Sequence, residues 1–367
     1  MEKQYDKMEI LKYTGAFIAW VIGSGFATGQ EILKFFSSYG YLSYAIILIN
    51  LAGFILLGKI LFTTGYEHKD EEGFSHFEYY CGEKIGKIYF WATPVILFCL
   101  MSILFSAAGA TLNQYYGINH YVGAVLMASF VLIIYLVGFD GFVQVVSKIG
   151  PVVIVFCLAV GIISVIGDFG DFKNISEYTD ELQKSQPTNN WVLSSILYMS
   201  LNFITASTYY TNLGMTAKKL TSAKWGAIIG SIVVILAITI INTAILLNGQ
   251  NAASLSVPTL YLASKINYVF GGFFSIVLIL GMFSSCAATM WSICSCFFKE
   301  DKKKNNIFAV VITMCGLFIG LLPFSDLISI ILPFNGYYGL IYIICVLYKG
   351  IRKNTSNTSN LKKVEFK

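Results

Sequence analysis

Ten long apolar runs constrain this chain more than any other feature. They lie near 10–36, 41–65, 88–115, 120–138, 146–166, 191–216, 224–247, 267–298, 306–323 and 327–348, each bounded by charged or turn-forming residues. A helix needs about 20 predominantly apolar residues to cross a bilayer. Lipid offers no hydrogen bonds to the backbone, so such runs fold as helices. Composition agrees: 56% of the 367 residues are hydrophobic and 12% are charged, against about 25% charged in soluble domains. These features argue against a nucleic-acid binder, a secreted disulfide scaffold and a cytosolic enzyme. Seven of the eight cysteines lie in apolar stretches, Cys81 sits in a polar loop, and none forms a C-x-x-C pair. Cys294 and Cys296, two apart, point to different sides of a helix. The first run is followed by Gln30, Glu31 and Lys34 instead of a small-residue cleavage site, so it is expected to stay in the protein.

Basic residues set the orientation. With the N-terminus in the cytoplasm, 21 of the 25 Lys and Arg fall on the inner side, and only Lys34, Lys173, Lys184 and Lys265 fall outside. An excess of that sign marks cytoplasmic loops, so both termini are expected inside. The acidic stretch 168–181 then faces out. The polar segment 168–190 divides the chain into residues 1–167 and 191–349, five runs each, followed by a tail at 350–367. Five is odd, so the halves cross the membrane in opposite senses. That is the arrangement of an inverted repeat. The expected fold is an all-α, polytopic, ten-helix plasma-membrane protein.

An inverted repeat predicts interrupted helices at matching places. The first run reads Ala19-Trp20-Val21-Ile22-Gly23-Ser24-Gly25-Phe26-Ala27-Thr28-Gly29-Gln30-Glu31. Three glycines in seven residues cost roughly 1 kcal/mol each relative to alanine in a helix and permit non-helical backbone. The sixth run reads Tyr198-Met199-Ser200-Leu201-Asn202-Phe203-Ile204-Thr205-Ala206. Its segment 202–206 aligns with 25–29, matching Phe and Thr. Both runs are therefore expected to be discontinuous. A half-helix starting at 25–28 presents N–H groups suited to a carboxylate. One ending at Ala19–Ile22 presents carbonyls suited to a cation. In the eighth run, the Gly281 carbonyl and the Ser284 and Ser285 hydroxyls share a helix face, and hard cations prefer such oxygens.

These motifs together resemble LeuT-fold transporters of the amino acid–polyamine–organocation superfamily. Residues 23–31 resemble the first helix of bacterial YkvI-type membrane proteins. Lys148-Ile149-Gly150-Pro151 is similar to a segment that opens the fifth helix of the sodium-coupled neurotransmitter-type members. The resemblance implies that the backbone of Gly23 and Gly25 binds a substrate carboxylate and that Tyr198 lids the substrate. It implies a Na+ site from Ala19, Ile22, Gly281, Ser284 and Ser285, with Ser200 and Asn202 flanking the second break. Trp20, Ser24, Phe26 and Phe203 join the substrate group by position. Phe26 stands where some members place an Asn that ligates a second Na+, so no second site is expected. The metal-transporting branch has Asp and Asn in the first break; this break has neither.

Two ionisable residues stand out. Glu31 is suited to bind a substrate amine, to relay a proton, or to pair with Lys34 as an outer gate facing an external vestibule. Lys148 either couples protons or snorkels at the membrane surface. The sequence reading is a Na+-coupled symporter of a small amino acid or related zwitterion, with no cofactor and no nucleic-acid partner. An H+-coupled amino-acid or organocation transporter using Glu31 or Lys148 is the alternative. A non-transporting membrane sensor or assembly protein is a remote third.

Overall fold

The computed structural model describes residues 6–137, 149–298 and 301–365, so Asp140 and Lys148 lie outside the described residues. The described residues form helices and connecting turns, with no strand among them. The first run becomes three pieces: α1 (Lys7–Val21), α2 (Ser24–Thr28) and α3 (Gln30–Phe35). Then come α4 (Ser43–Glu67), α5 (His76–Tyr116), α6 (His120–Val137) and α7 (Ile149–Gly167). Later in the chain are α8 (Trp191–Met215), α9 (Leu220–Leu247), α10 (Pro258–Ile266) and α11 (Tyr268–Phe297). The last two are α12 (Lys302–Gly320) and α13 (Phe324–Glu365).

Among the described residues, seven helices are long and apolar enough to cross a membrane: those ending at Glu67, Tyr116, Val137, Gly167, Leu247, Phe297 and Gly350. The broken first helix, α8 and α12 occupy the remaining three expected runs. The helix α5 starts at His76, twelve residues before the expected 88. A glycine with positive φ at Gly82 (φ 78°) bends it there, and His76 is buried with Nε2 3.1 Å from Ser207 Oγ. The apolar count missed this first part because Glu83, Lys84 and Lys87 dilute it.

Helix starts follow side-chain capping, in which a polar oxygen satisfies otherwise unpaired N–H groups. Asn190 Oδ1 accepts from Val192 N at 2.9 Å, and Asn267 Oδ1 accepts from Val269 N at 2.8 Å. Asp301 Oδ1 accepts from Lys304 N at 3.1 Å, and these N–H and Lys304 contacts hold its carboxyl below the usual carboxylate range.

Packing divides the helices into two groups. In one, α1 and α8 lie along α9 and α4 respectively, and α4 and α9 pack on each other. In the other, α5, α6, α11 and α12 pack together. The helices α7 and α13 straddle the two. Aromatic rings fill the first group: Phe17 stacks on Tyr210 with centroids 4.6 Å apart, and Phe62 lies 5.6 Å from Tyr210. The backbones approach closely where α13 meets α8, since a Cβ on Gly336 would stand 2.9 Å from the Leu197 carbonyl oxygen. The glycines after Pro333 thus serve packing of α13 on α8.

Candidate functional site

The first helix breaks where its glycines cluster. The α1 ladder closes with Ile22 N donating to Ile18 O at 2.8 Å, and Ile22 then turns to ψ 65°. Gly23 is extended (φ −90°, ψ −168°), and the chain re-enters helix as α2. Gly29 ends α2 in the left-handed region (φ 81°), and α3 departs from it. The expected break is therefore present, and a second turn at Gly29 follows it.

Neighbours hold the α2 end of the break firmly. Thr28 Oγ1 donates to Gly25 O at 2.7 Å, and Thr259 Oγ1, on α10, donates to Ala27 O at 2.5 Å. A Cβ at Gly29 would lie 2.9 Å from Thr259 Cγ2, so no larger residue fits. Gln30 Nε2 donates to Leu255 O at 2.7 Å. Gln114 exchanges two hydrogen bonds with the Val257 backbone, both 2.8 Å, which ties α5 to the start of α10. None of these partners was singled out from the sequence: Thr259 lies 232 positions from Ala27 and Leu255 225 positions from Gln30.

The α1 end is held differently. It packs chiefly on α9, while α2 touches α5, α7, α10 and α11. Glu9 Oε1 accepts from Lys218 N at 2.7 Å, and Ser222 Oγ accepts from Asp6 N at 3.1 Å, fastening α1 to the start of α9. Its other face is open: Ala19 is exposed, and a Cβ on Gly15 would meet nothing within 4 Å.

The sixth-run expectation is corrected. The helix α8 runs unbroken through Trp191–Met215. The aligned segment has no glycine, and its polar side chains bond back to carbonyls of the preceding turn. Asn202 Nδ2 donates to Tyr198 O at 2.9 Å, Thr205 Oγ1 to Leu201 O at 3.0 Å, and Ser200 Oγ to Ile196 O at 2.7 Å. Such bonds are accommodated within a helix, so Phe and Thr in register did not imply a break.

The other expected residues are distributed as follows. Phe26 and Phe203 are buried, and Phe203 meets Phe54 edge-on at 5.0 Å. Tyr198 is fully buried between Phe36 (4.7 Å), Phe35 (5.6 Å) and Phe54 (6.1 Å), and its hydroxyl has no hydrogen-bond partner. Trp20 is exposed and stacks on Tyr209 at 4.9 Å, away from that aromatic cluster. The Ser24 side chain and Lys148 lie outside the description. Gly281, Ser284 and Ser285 sit on α11, which packs on α2. Both serines are half-buried, and their hydroxyls, unlike those of Thr289 and Ser292 on the same helix, make no hydrogen bond among the described residues.

Glu31 does not pair with Lys34. Its side chain turns back toward α2 so that Oε1 occupies the space beside Gly25, where a Cβ would overlap with it. Lys34 instead donates to Ser329 Oγ on α13 at 2.6 Å. Among the described residues, no group of three His, Cys, Asp or Glu is placed to hold a metal ion.

Comparison with known proteins agrees with this architecture. The chain is 25% identical over 341 residues to the uncharacterized membrane protein YkvI of Bacillus subtilis (strain 168), covering 91% of this chain and 94% of that one. It is 22% identical over 337 residues to the uncharacterized protein YyaD of the same organism, covering 92% and 96%. Among solved structures it superposes on a mutant form of the Eremococcus coleocola manganese transporter with a TM-score of 0.59 at 14% identity, covering 92% and 78%. It superposes on MhsT in complex with L-phenylalanine with a TM-score of 0.54 at 18% identity, covering 92% and 88%. The chain has the LeuT fold. Its homologues are YkvI-type membrane proteins. No protein-family profile matches it. The chain is a multi-pass protein of the plasma membrane.

Proposed function

We propose that this protein is a secondary active transporter that carries a small amino acid or related zwitterion by alternating access, coupled to Na+. The observation that carries the reading is the break at Ile22–Gly23, with its two sides packed on different helix groups. Transporter helices interrupted near the bilayer midplane are where substrate and ion sites form. A solved protein of this fold holds L-phenylalanine, and another is a manganese transporter. The break here has no Asp or Asn, which favours an organic solute over a divalent metal.

The packing supports a 5+5 inverted repeat of ten helices, and the basic-residue bias supports both termini in the cytoplasm. Counting the broken helix as one, helix one lies on seven as six lies on two. Helix five straddles seven and eight as ten straddles two and three. One pair departs from the symmetry. Helix six lies along helix ten, but the counterpart pairing of one with five runs through the short α2 rather than α1. Together with the open face at Gly15 and Ala19, this supports a state open toward the side of the N-terminus.

The half-buried hydroxyls of Ser284 and Ser285 and the last α1 carbonyls support Na+ as the coupling ion. Glu31 in the break favours one second reading, H+ coupling. Uptake into proteoliposomes under an imposed Na+ gradient or an imposed pH gradient separates the two. Accumulation is expected with Na+, and uptake that ignores both gradients would overturn the reading.

A further inference from the structure

The short helix α10 is fastened at both ends. At its start, Thr259 Oγ1 donates to Ala27 O, near the end of α2, at 2.5 Å. Cys157 Sγ, on α7, reaches the same carbonyl at 3.9 Å, so α2, α7 and α10 meet there. At the other end of α10, Lys265 Nζ donates to Asp168 Oδ1 at 2.8 Å and to Asn248 Oδ1 at 2.7 Å. Asn248 Nδ2 closes the ring by donating to Asp168 Oδ2 at 2.8 Å, and it also donates to Ala244 O at 3.0 Å. Asp168 directly follows α7 and Asn248 directly follows α9, so the ring joins the ends of three helices. From Thr259 to Lys265 the two attachments are about 9 Å apart along the helix.

An exposed ion pair contributes little on its own. This ring differs because two of its members are largely out of water: Asn248 is 5% exposed and the Asp168 side chain 16%. Removing the Lys265 ammonium takes the charge partner from a mostly buried carboxylate and a donor from a buried amide oxygen, and both losses are costly. A helix of nine residues does not hold its place unaided, so these attachments decide where α10 lies. From this geometry we infer that the Asp168–Asn248–Lys265 ring is a latch that acts through α10 on the broken first helix. While closed, it keeps Thr259 on Ala27 O and seals α2 against α7 and α10. Lys265 is the tethered cation of the latch, and its place suits a small alkylammonium ion when the lysine is removed. Access to α2 from this end of the molecule requires the ring to part. The latch acts on the shape of the break, independently of which solute crosses it and of the ion that drives it.

The buried Cys157 thiol is a native reporter of the junction at Ala27. Purified full-length protein is treated with N-ethylmaleimide, and alkylation of each cysteine is followed by peptide mass spectrometry. Cys294, buried near the opposite end of α11 from α10, reports global unfolding. In the wild type, Cys157 is expected to react far more slowly than the exposed Cys315. Lys265→Ala is expected to speed Cys157 alkylation about tenfold or more and to leave Cys294 unchanged. Ethylammonium chloride is expected to restore the protection of Cys157 in that variant, where sodium chloride at equal ionic strength does not. Asp168→Asn is expected to speed Cys157 alkylation too, without rescue, because Lys265 still fills the place. If Lys265→Ala does not fold, the Cys157 rate in Asp168→Asn decides. Cys157 protection unchanged in the folded variants, an equal acceleration of Cys294, or ethylammonium no better than sodium chloride overturns the latch.

Discussion

Three glycines break the first helix, and the structure gives each a different task. Gly23 is extended, a conformation any residue adopts, and a Cβ on it would approach only Trp20 O at 3.7 Å. Gly25 is there for the space that Glu31 fills. Gly29 alone needs a positive φ, and its surroundings exclude a side chain as well. Substitution should therefore separate them. Gly29→Ala places an L-residue in the left-handed region, a cost of roughly 1–2 kcal/mol, and drives a methyl into Thr259. Its melting temperature in detergent should fall by several degrees. Gly23→Ala should stay within about 0.5 kcal/mol of the parent, as substitutions away from strained or packed positions do. Equal losses at both positions would mean that the break depends on glycine content and not on the two turns described.

At the scale of elements, the short α2 depends on its neighbours, since five residues cannot sustain a helix alone. Thr259 Oγ1 is the close donor to Ala27 O, a buried carbonyl at the end of α2 that Cys157 Sγ reaches only at 3.9 Å. Thr259→Val removes the hydroxyl at nearly constant shape and leaves that carbonyl only the weak thiol donor, a loss of about 1–3 kcal/mol. Thr259→Ser should recover most of it in the same melting experiment, and a Ser variant no better than Val would overturn the hydrogen-bond account. Elements of this kind mark the limit of sequence reading. Eight of the ten apolar runs match the described helices to within a few residues, because lipid and buried helix contacts both demand apolar length, while α5 starts earlier and α13 runs on to Glu365. The interruption at Gly23 was legible because three glycines oppose helix. The unbroken α8 was not. Its Asn202, Ser200 and Thr205 were polar enough to suggest a break, but whether such side chains replace backbone bonds or reinforce them depends on where they turn. The expected Glu31–Lys34 pair failed for a related reason: sequence distance along a helix does not reveal that the Glu31 side chain turns back toward Gly25.

For the whole molecule, the near-symmetry of helix packing and its one exception describe the same event. If the helices match under a shift of five, a pair that fits on one side and gapes on the other marks the side that is open. The gap lies along α1, which is fastened to the start of α9 through Glu9 and Asp6 and to α8 through the Phe17–Tyr210 stack, and so moves with that group. Under the proposed function, alternating access exchanges this state for one in which α1 closes toward α7 and α11, bringing the Ala19 and Ile22 carbonyls toward Ser284 and Ser285. The open face can be read chemically. In a background with the exposed Cys296 and Cys315 replaced by Ser, Gly15→Cys and Ala19→Cys should react with a membrane-impermeant maleimide in inside-out vesicles and not in right-side-out ones. Na+ together with a transported solute should slow Ala19→Cys labelling, because a ligand shifts the population only toward the state it binds better. Labelling equal from both sides would refute the orientation. Labelling from the inner side that ignores every transported solute and both coupling ions would refute the closure of α1.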